Sequence, residues 1–146
     1  MKKSLLKQFY LLFLICTFPL TAHSIQECNL KPIETKVGRL SIKEMSTFFN
    51  SFNRKCLQSS EFSEWSNELL FSSLEKQPQI FIEVLEKQDE ALTKIILSTL
   101  ESPVNDGIDI KTIHALVKAT KINSRIKPRI IQALRVAGDN LGMELK

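Results

Sequence analysis

Asp-Glu-Ala-Leu-Thr-Lys-Ile-Ile-Leu-Ser-Thr-Leu-Glu, residues 89–101, is the best-defined helical stretch of this 146-residue chain. Asp89 is a good N-cap. At 100° per residue, Ala91, Leu92, Ile95, Ile96, Thr99 and Leu100 spread over about half the circumference, and Leu97 lies beyond that arc. Only Glu90, Lys94, Ser98 and Glu101 form a polar strip. An apolar face this wide needs helices on two or three sides, so the pattern predicts the spine of an all-helical domain. Ile95 and Ile96 are expected to matter most, at about 2–5 kcal/mol each on truncation to Ala.

Working outward, residues 102–107 (Ser-Pro-Val-Asn-Asp-Gly) are the clearest break. Asp109 opens a fifth helix with Ile110, Ile113, Leu116, Val117 and Thr120 inward. Ser124 opens a sixth, with Ile126, Ile130, Ile131, Leu134 and Ala137 inward, and Gly138 reads as its stop. Pro128 lies in or near the first turn of that helix. On the N-terminal side, Pro78 suits the start of a third helix carrying Ile80, Phe81, Val84 and Leu85. Ser59 and Ser60 start a second, with Phe62, Trp65, Leu69, Leu70 and Leu74 on one side. Ser41-Ile-Lys-Glu44 is a capping box opening the first, which runs to about residue 57 on Ile42, Met45, Phe48, Phe49, Phe52 and Cys56. Phe49 and Phe71 fall off the main stripes and read as core-edge residues or exposed anchors.

The fold class that follows is all-α. About six helices form three consecutive hairpins opening near residues 41, 78 and 109, either a short HEAT-like stack or a compact orthogonal bundle. Residues 25–40 show no helical period and contain Pro32 and Gly38, so they read as an extended arm. Residues 41–138 form the single helical domain, and residues 139–146 a flexible tail.

The first 24 residues read as an address. Lys2, Lys3 and Lys7 precede an apolar run over residues 9–18, Pro19 breaks it, and Ala22-His23-Ser24 suits a cleavage site. The run is too short to span a bilayer, which takes about 20 apolar residues. The expected location is therefore the bacterial periplasm or the exterior. Removing the three signal lysines leaves 17 basic and 16 acidic residues, so the basic character of the whole chain is no argument for nucleic-acid binding. Cys16 leaves with the signal. Cys28 and Cys56 then pair in an oxidising compartment and tether the arm.

Chemistry-bearing patterns are few. His114, the histidine of the mature part, reads as a partly exposed or hydrogen-bonded side chain, since no serine or cysteine stands in a nucleophile elbow. Glu61, Glu64 and Glu68 share a helical face and read as solvated. The turn at residues 105–109 lacks the alternating ligands of a calcium loop. No catalytic residue, metal ligand or cofactor is expected.

Charge layout is the informative feature. Residues 61–109 carry 11 acidic and 3 basic groups, whereas residues 111–135 carry 7 basic groups and no acidic one. Either the two regions solvate opposite sides of the protein or attract each other within the fold, or the last hairpin presents a basic patch at Lys118, Lys121, Arg125, Lys127 and Arg129. The functional expectation is a non-catalytic binding protein with a protein partner: an inhibitor, an immunity-type protein or an accessory subunit. In size, compartment and helical class the chain resembles the periplasmic immunity proteins of interbacterial toxins. The alternative is a peripheral envelope protein on anionic lipid or lipopolysaccharide. Nucleic acid is disfavoured, because no aromatics interleave with these cations for base stacking.

Overall fold

Asp89 acts as its sequence predicts. Its side chain accepts a hydrogen bond from the amide of Leu92 at 2.8 Å and opens a helix over Glu90–Leu100. The computed structural model containing this helix describes residues 28–52 and 55–145. Over these residues the chain is all-helical, with no strand. The helices are α1 (Lys31–Glu34), α2 (Ile42–Asn50), α3 (Ser60–Lys76), α4 (Pro78–Leu85), α5 (Glu90–Leu100), α6 (Ile110–Ala119) and α7 (Ile126–Asn140), with a single 3₁₀ turn at Cys56–Gln58. The signal segment read from residues 1–24 lies outside the described residues. No described helix is long and apolar enough to cross a membrane.

The spine helix α5 touches α2, α3 and α7, as its wide apolar face requires. Its buried side is turned from the expected one. Thr93, Ile96, Leu97 and Leu100 are buried, Ile95 is half-buried and Ala91 is exposed. Apolarity alone ranks Ile95 above Thr93. Packing on three neighbours chooses the line through Ile96 and Leu100, which brings Thr93 and Leu97 in with it. Truncation therefore costs the full core penalty at Ile96 and less at Ile95.

The capping box of α2 is complete. Ser41 Oγ accepts from the Glu44 amide at 3.3 Å, and Glu44 Oε2 accepts from the Ser41 amide at 2.9 Å. The helix stops at Asn50, short of the expected residue 57. Ser51 ends it: its amide and its hydroxyl both donate to the Phe48 carbonyl, and the Phe52 amide donates to Phe49. Such i→i+3 bonds tighten the last turn and break the α register. Cys56 consequently sits on the separate 3₁₀ turn, which contacts α3. Phe49 and Phe71 are both fully buried, correcting their reading as edge or exposed residues.

Cys28 and Cys56 form a disulfide with their Cα atoms 5.4 Å apart. The stretch expected to be extended instead contains the one-turn helix α1. Asn29 Oδ1 accepts from the Lys31 amide, Pro32 falls in the first turn, and Leu30, Ile33 and Leu40 are buried. Gln77, between α3 and α4, pins the far end. Its Oε1 accepts from the Leu40 amide at 2.7 Å and its Nε2 donates to the Leu40 carbonyl at 3.0 Å, as a paired backbone strand would. Gly38 turns the chain here with φ +92°, and a Cβ on it would meet the Lys76 side chain at 3.1 Å.

At the other end, Gly138 is not the helix stop. It is buried inside α7, and a Cβ there would meet Leu145 at 2.7 Å. The stop is Gly142 at φ +67°. Met143 donates back to the Gly138 carbonyl and Gly142 to that of Asp139, the two bonds of a Schellman motif. Close approach to a returning side chain, rather than a left-handed turn, explains the glycine at 138. The tail expected from residue 139 thus begins as helix and folds Leu145 back onto α7.

Candidate functional site

The cations of the last hairpin fall into two groups. Arg125 Nε lies 3.1 Å from Glu86 Oε1, and Arg129 grips Glu90 with both terminal nitrogens at 3.0 and 2.8 Å. Lys127 reaches back to the end of α6 and donates to the carbonyls of Lys118 and Thr120 at 3.0 and 2.6 Å. The helix terminus leaves the Lys118 carbonyl without an intrahelical donor, the Thr120 carbonyl accepts besides from the Ile122 amide at 3.1 Å, and a lysine is a favourable partner for both. Arg125, Lys127 and Arg129 are therefore engaged within the fold. Lys118 and Lys121 are exposed.

Glu86 is more than an ion-pair partner. It sits at the end of α4 and accepts from the Ser124 hydroxyl and, at 3.0 Å, from the Ile126 amide, so it caps α7 from 40 residues away. Ser124, read from sequence as the cap, shares the task by accepting from the Ile126 and Lys127 amides. The Ser124 hydrogen bond, then the Ile126 amide and Arg125, hold the Glu86 carboxyl at about 2. Glu90 is lowered by its hydrogen bonds to Arg129, whose guanidinium is raised in return. Exposed pairs of this kind are worth little by themselves, and Arg125 is 94% exposed. The cap weighs more, because it satisfies a helix-terminal amide.

A carboxyl lowered in the folded state stabilises fully above its unfolded value near 4.5 and loses that contribution as pH falls towards 2. Glu86→Ala should cost about 1–2 kcal/mol at neutral pH. Urea titrations at pH 7 and pH 2.5 should show that difference shrinking at the lower pH.

The outer face of α6 is open to solvent. Lys111, Ala115, Lys118 and Ala119 follow i, i+4, i+7, i+8 spacing and are all exposed. Leu116, read from sequence as inward, is 38% exposed on the side of the helix shared with Thr112 and Ala119. The burial line of α6 runs through Ile110, Ile113, His114 and Val117 instead, so His114 takes the inward place given to Leu116. His114 is 3% exposed and its Nε2 has no hydrogen-bond partner, correcting the partly exposed reading. Lys111, Lys121 and Arg135 make no ion pair among the described residues and are exposed.

Other candidates stay apart. Glu61, Glu64 and Glu68 are exposed, and Glu68 accepts from the Asn105 side chain. The 105–109 turn is held by Asn105 accepting from the Gly107 amide and by Asp109 capping α6. Among the described residues no group of three or more His, Cys, Asp or Glu could hold a metal ion. A polar cleft of about 250 Å³ lies at the Arg–Glu pairs, floored by Leu85 and Ile126.

One polar hub is not visible in the pattern. Asn67, buried in α3, donates to the carbonyls of Thr99 and Ser102 and accepts from the Val104 amide at 3.1 Å. It fixes the break between α5 and α6, and so the position from which the basic hairpin starts. The sequence carries no signal for it: its own face of the helix mixes Ser63 and Glu64 with Leu70 and Phe71.

No protein-family model, no curated protein and no solved structure matches the chain.

Proposed function

We propose that the chain is a small non-catalytic binding protein of the periplasm or exterior, docking an acidic protein surface on the outer face of α6. An inhibitor, an immunity-type protein and an accessory subunit all fit this description. The observation that carries it is Leu116, a large apolar side chain left 38% exposed on a helix that also exposes Lys111, with Lys121 exposed just beyond its end. An exposed apolar centre with a polar rim is the usual anatomy of a protein interface. The cations concentrate anionic partners and orient their approach.

We read the helices as a compact bundle and not a stack of hairpins. In a stack each pair contacts its sequence neighbours. Here α2 lies on α4, α3 reaches α6, and α4 touches both α6 and α7. Such an arrangement gives the protein a closed core and leaves α6 as one outer wall.

Affinity capture from a periplasmic extract tests the reading. The wild type should recover a stoichiometric acidic protein, and Lys111→Glu/Lys121→Glu should lose it. Capture by both proteins, or by neither, contradicts the reading. Pelleting of the wild type, and not the variant, with anionic vesicles at low salt would move the assignment to the envelope surface.

A further inference from the structure

His114 is the one titratable side chain in the described chain that is both buried and left with an unpartnered ring nitrogen. It faces inward from α6, which packs on α3, α4 and α7. The charged groups acting on it are Lys118, one turn further along α6, and Arg135 of α7. Both are cations, and no carboxylate of α3 or α4 is among the acting groups. Burial and these two cations lower its proton affinity below the ordinary value of 6.5. A protonated imidazole has two N–H donors. In this site the added N–H would meet no acceptor and two positive charges, whereas in water it would be solvated.

We propose that His114 makes α6 an acid-released wall: protonation of the ring favours a state in which α6 swings away from α3 and α4. Its direction follows from linkage. The open state takes up a proton at the ordinary value and the closed state does so only at lower pH. Closure is therefore fully favoured above about pH 6.5 and weakens as pH falls below it. The contacts that hold α7 to α4 and α5 titrate elsewhere. Glu86 and Glu90 are lowered below 4.5 and stay ionised through this range, so opening at mild acidity starts at α6 and spares the α7 anchor. This inference is independent of what the outer face of α6 binds.

Hydrogen exchange on the full chain tests it, with each amide rate divided by its intrinsic rate at the same pH. Between pH 7.5 and pH 5.0 the opening constant of residues 110–119 should rise by up to about 30-fold, the limit for a ring that stays neutral when closed. Residues 60–85 should change much less. His114→Gln should keep α6 closed at pH 5.0. Should that variant fail to fold, proton NMR of the wild type decides, since the His114 ring must titrate below 6.5. A ring titrating at or above 6.5 overturns the proposal. So does α6 opening uniformly with α3 and α4, or opening unchanged in His114→Gln.

Discussion

Phe49→Ala should lower the unfolding free energy by about 3–5 kcal/mol, the largest loss expected of any single truncation in this chain. Phe49 has no exposed surface. Its ring meets Phe81 of α4 edge to face at 4.9 Å, and Phe48 at 6.1 Å. Phe48 in turn meets Phe52, and Phe52 meets Phe62 of α3. The five rings join α2, α3 and α4 in one chain, with the tilted and edge contacts that aromatic pairs prefer. Removing Phe49 opens a cavity in the middle of that chain, and the neighbouring rings cannot collapse into it without breaking their other contacts. Urea denaturation followed by the fluorescence of Trp65 gives the measurement. A loss below 1 kcal/mol would place Phe49 at the edge of the core.

The second large effect is at the disulfide. Cys28→Ser/Cys56→Ser should cost about 3–4 kcal/mol, since the bond closes a loop of 29 residues in the unfolded chain. The folded arm has other holds: Leu30, Ile33 and Leu40 are buried, and Gln77 clamps Leu40 from both sides. The double variant should therefore fold to the same helical content with a lower denaturation midpoint, and reductant should shift the wild type to the same place. Equal midpoints with and without reductant would mean that the bond is redundant with the Gln77 clamp.

Helix starts were legible because their signals are local. Ser41, Ser59, Asp89 and Asp109 each cap a helix through a side chain three residues from its target amide. Helix ends were less so. Ser51 stops α2 by hydroxyl and amide bonds to Phe48, which a serine in an apolar period does not announce. Gly138 looks like a stop but is a site of close approach to Leu145, while the stop lies at Gly142. Which side of a helix faces inward depends on how many neighbours it has, so Thr93 and His114 displaced the more apolar Ile95 and Leu116. Long-range polar contacts were the hardest to read. Asn67, Gln77 and Glu86 reach partners 32–40 residues away, and no local period records that reach.

The basic cluster shows the same limit at the candidate site. The sequence displays the opposite charges of residues 61–109 and 111–135, and leaves open whether they meet inside the fold or face outward. Both occur. Arg125 and Arg129 pair with Glu86 and Glu90 at the surface, Lys127 closes the end of α6, and Lys111, Lys121 and Arg135 remain exposed.

That division is open to a direct comparison of two charge reversals in one binding assay. Lys111→Glu/Lys121→Glu alters only exposed cations, so it should keep wild-type stability within about 0.5 kcal/mol and lose the captured partner. Arg125→Glu/Arg129→Glu places like charges against Glu86 and Glu90, so it should lose stability and, at a temperature where it is still folded, keep the partner. The opposite outcome, a partner retained by the first variant and lost by the folded second, would contradict the account.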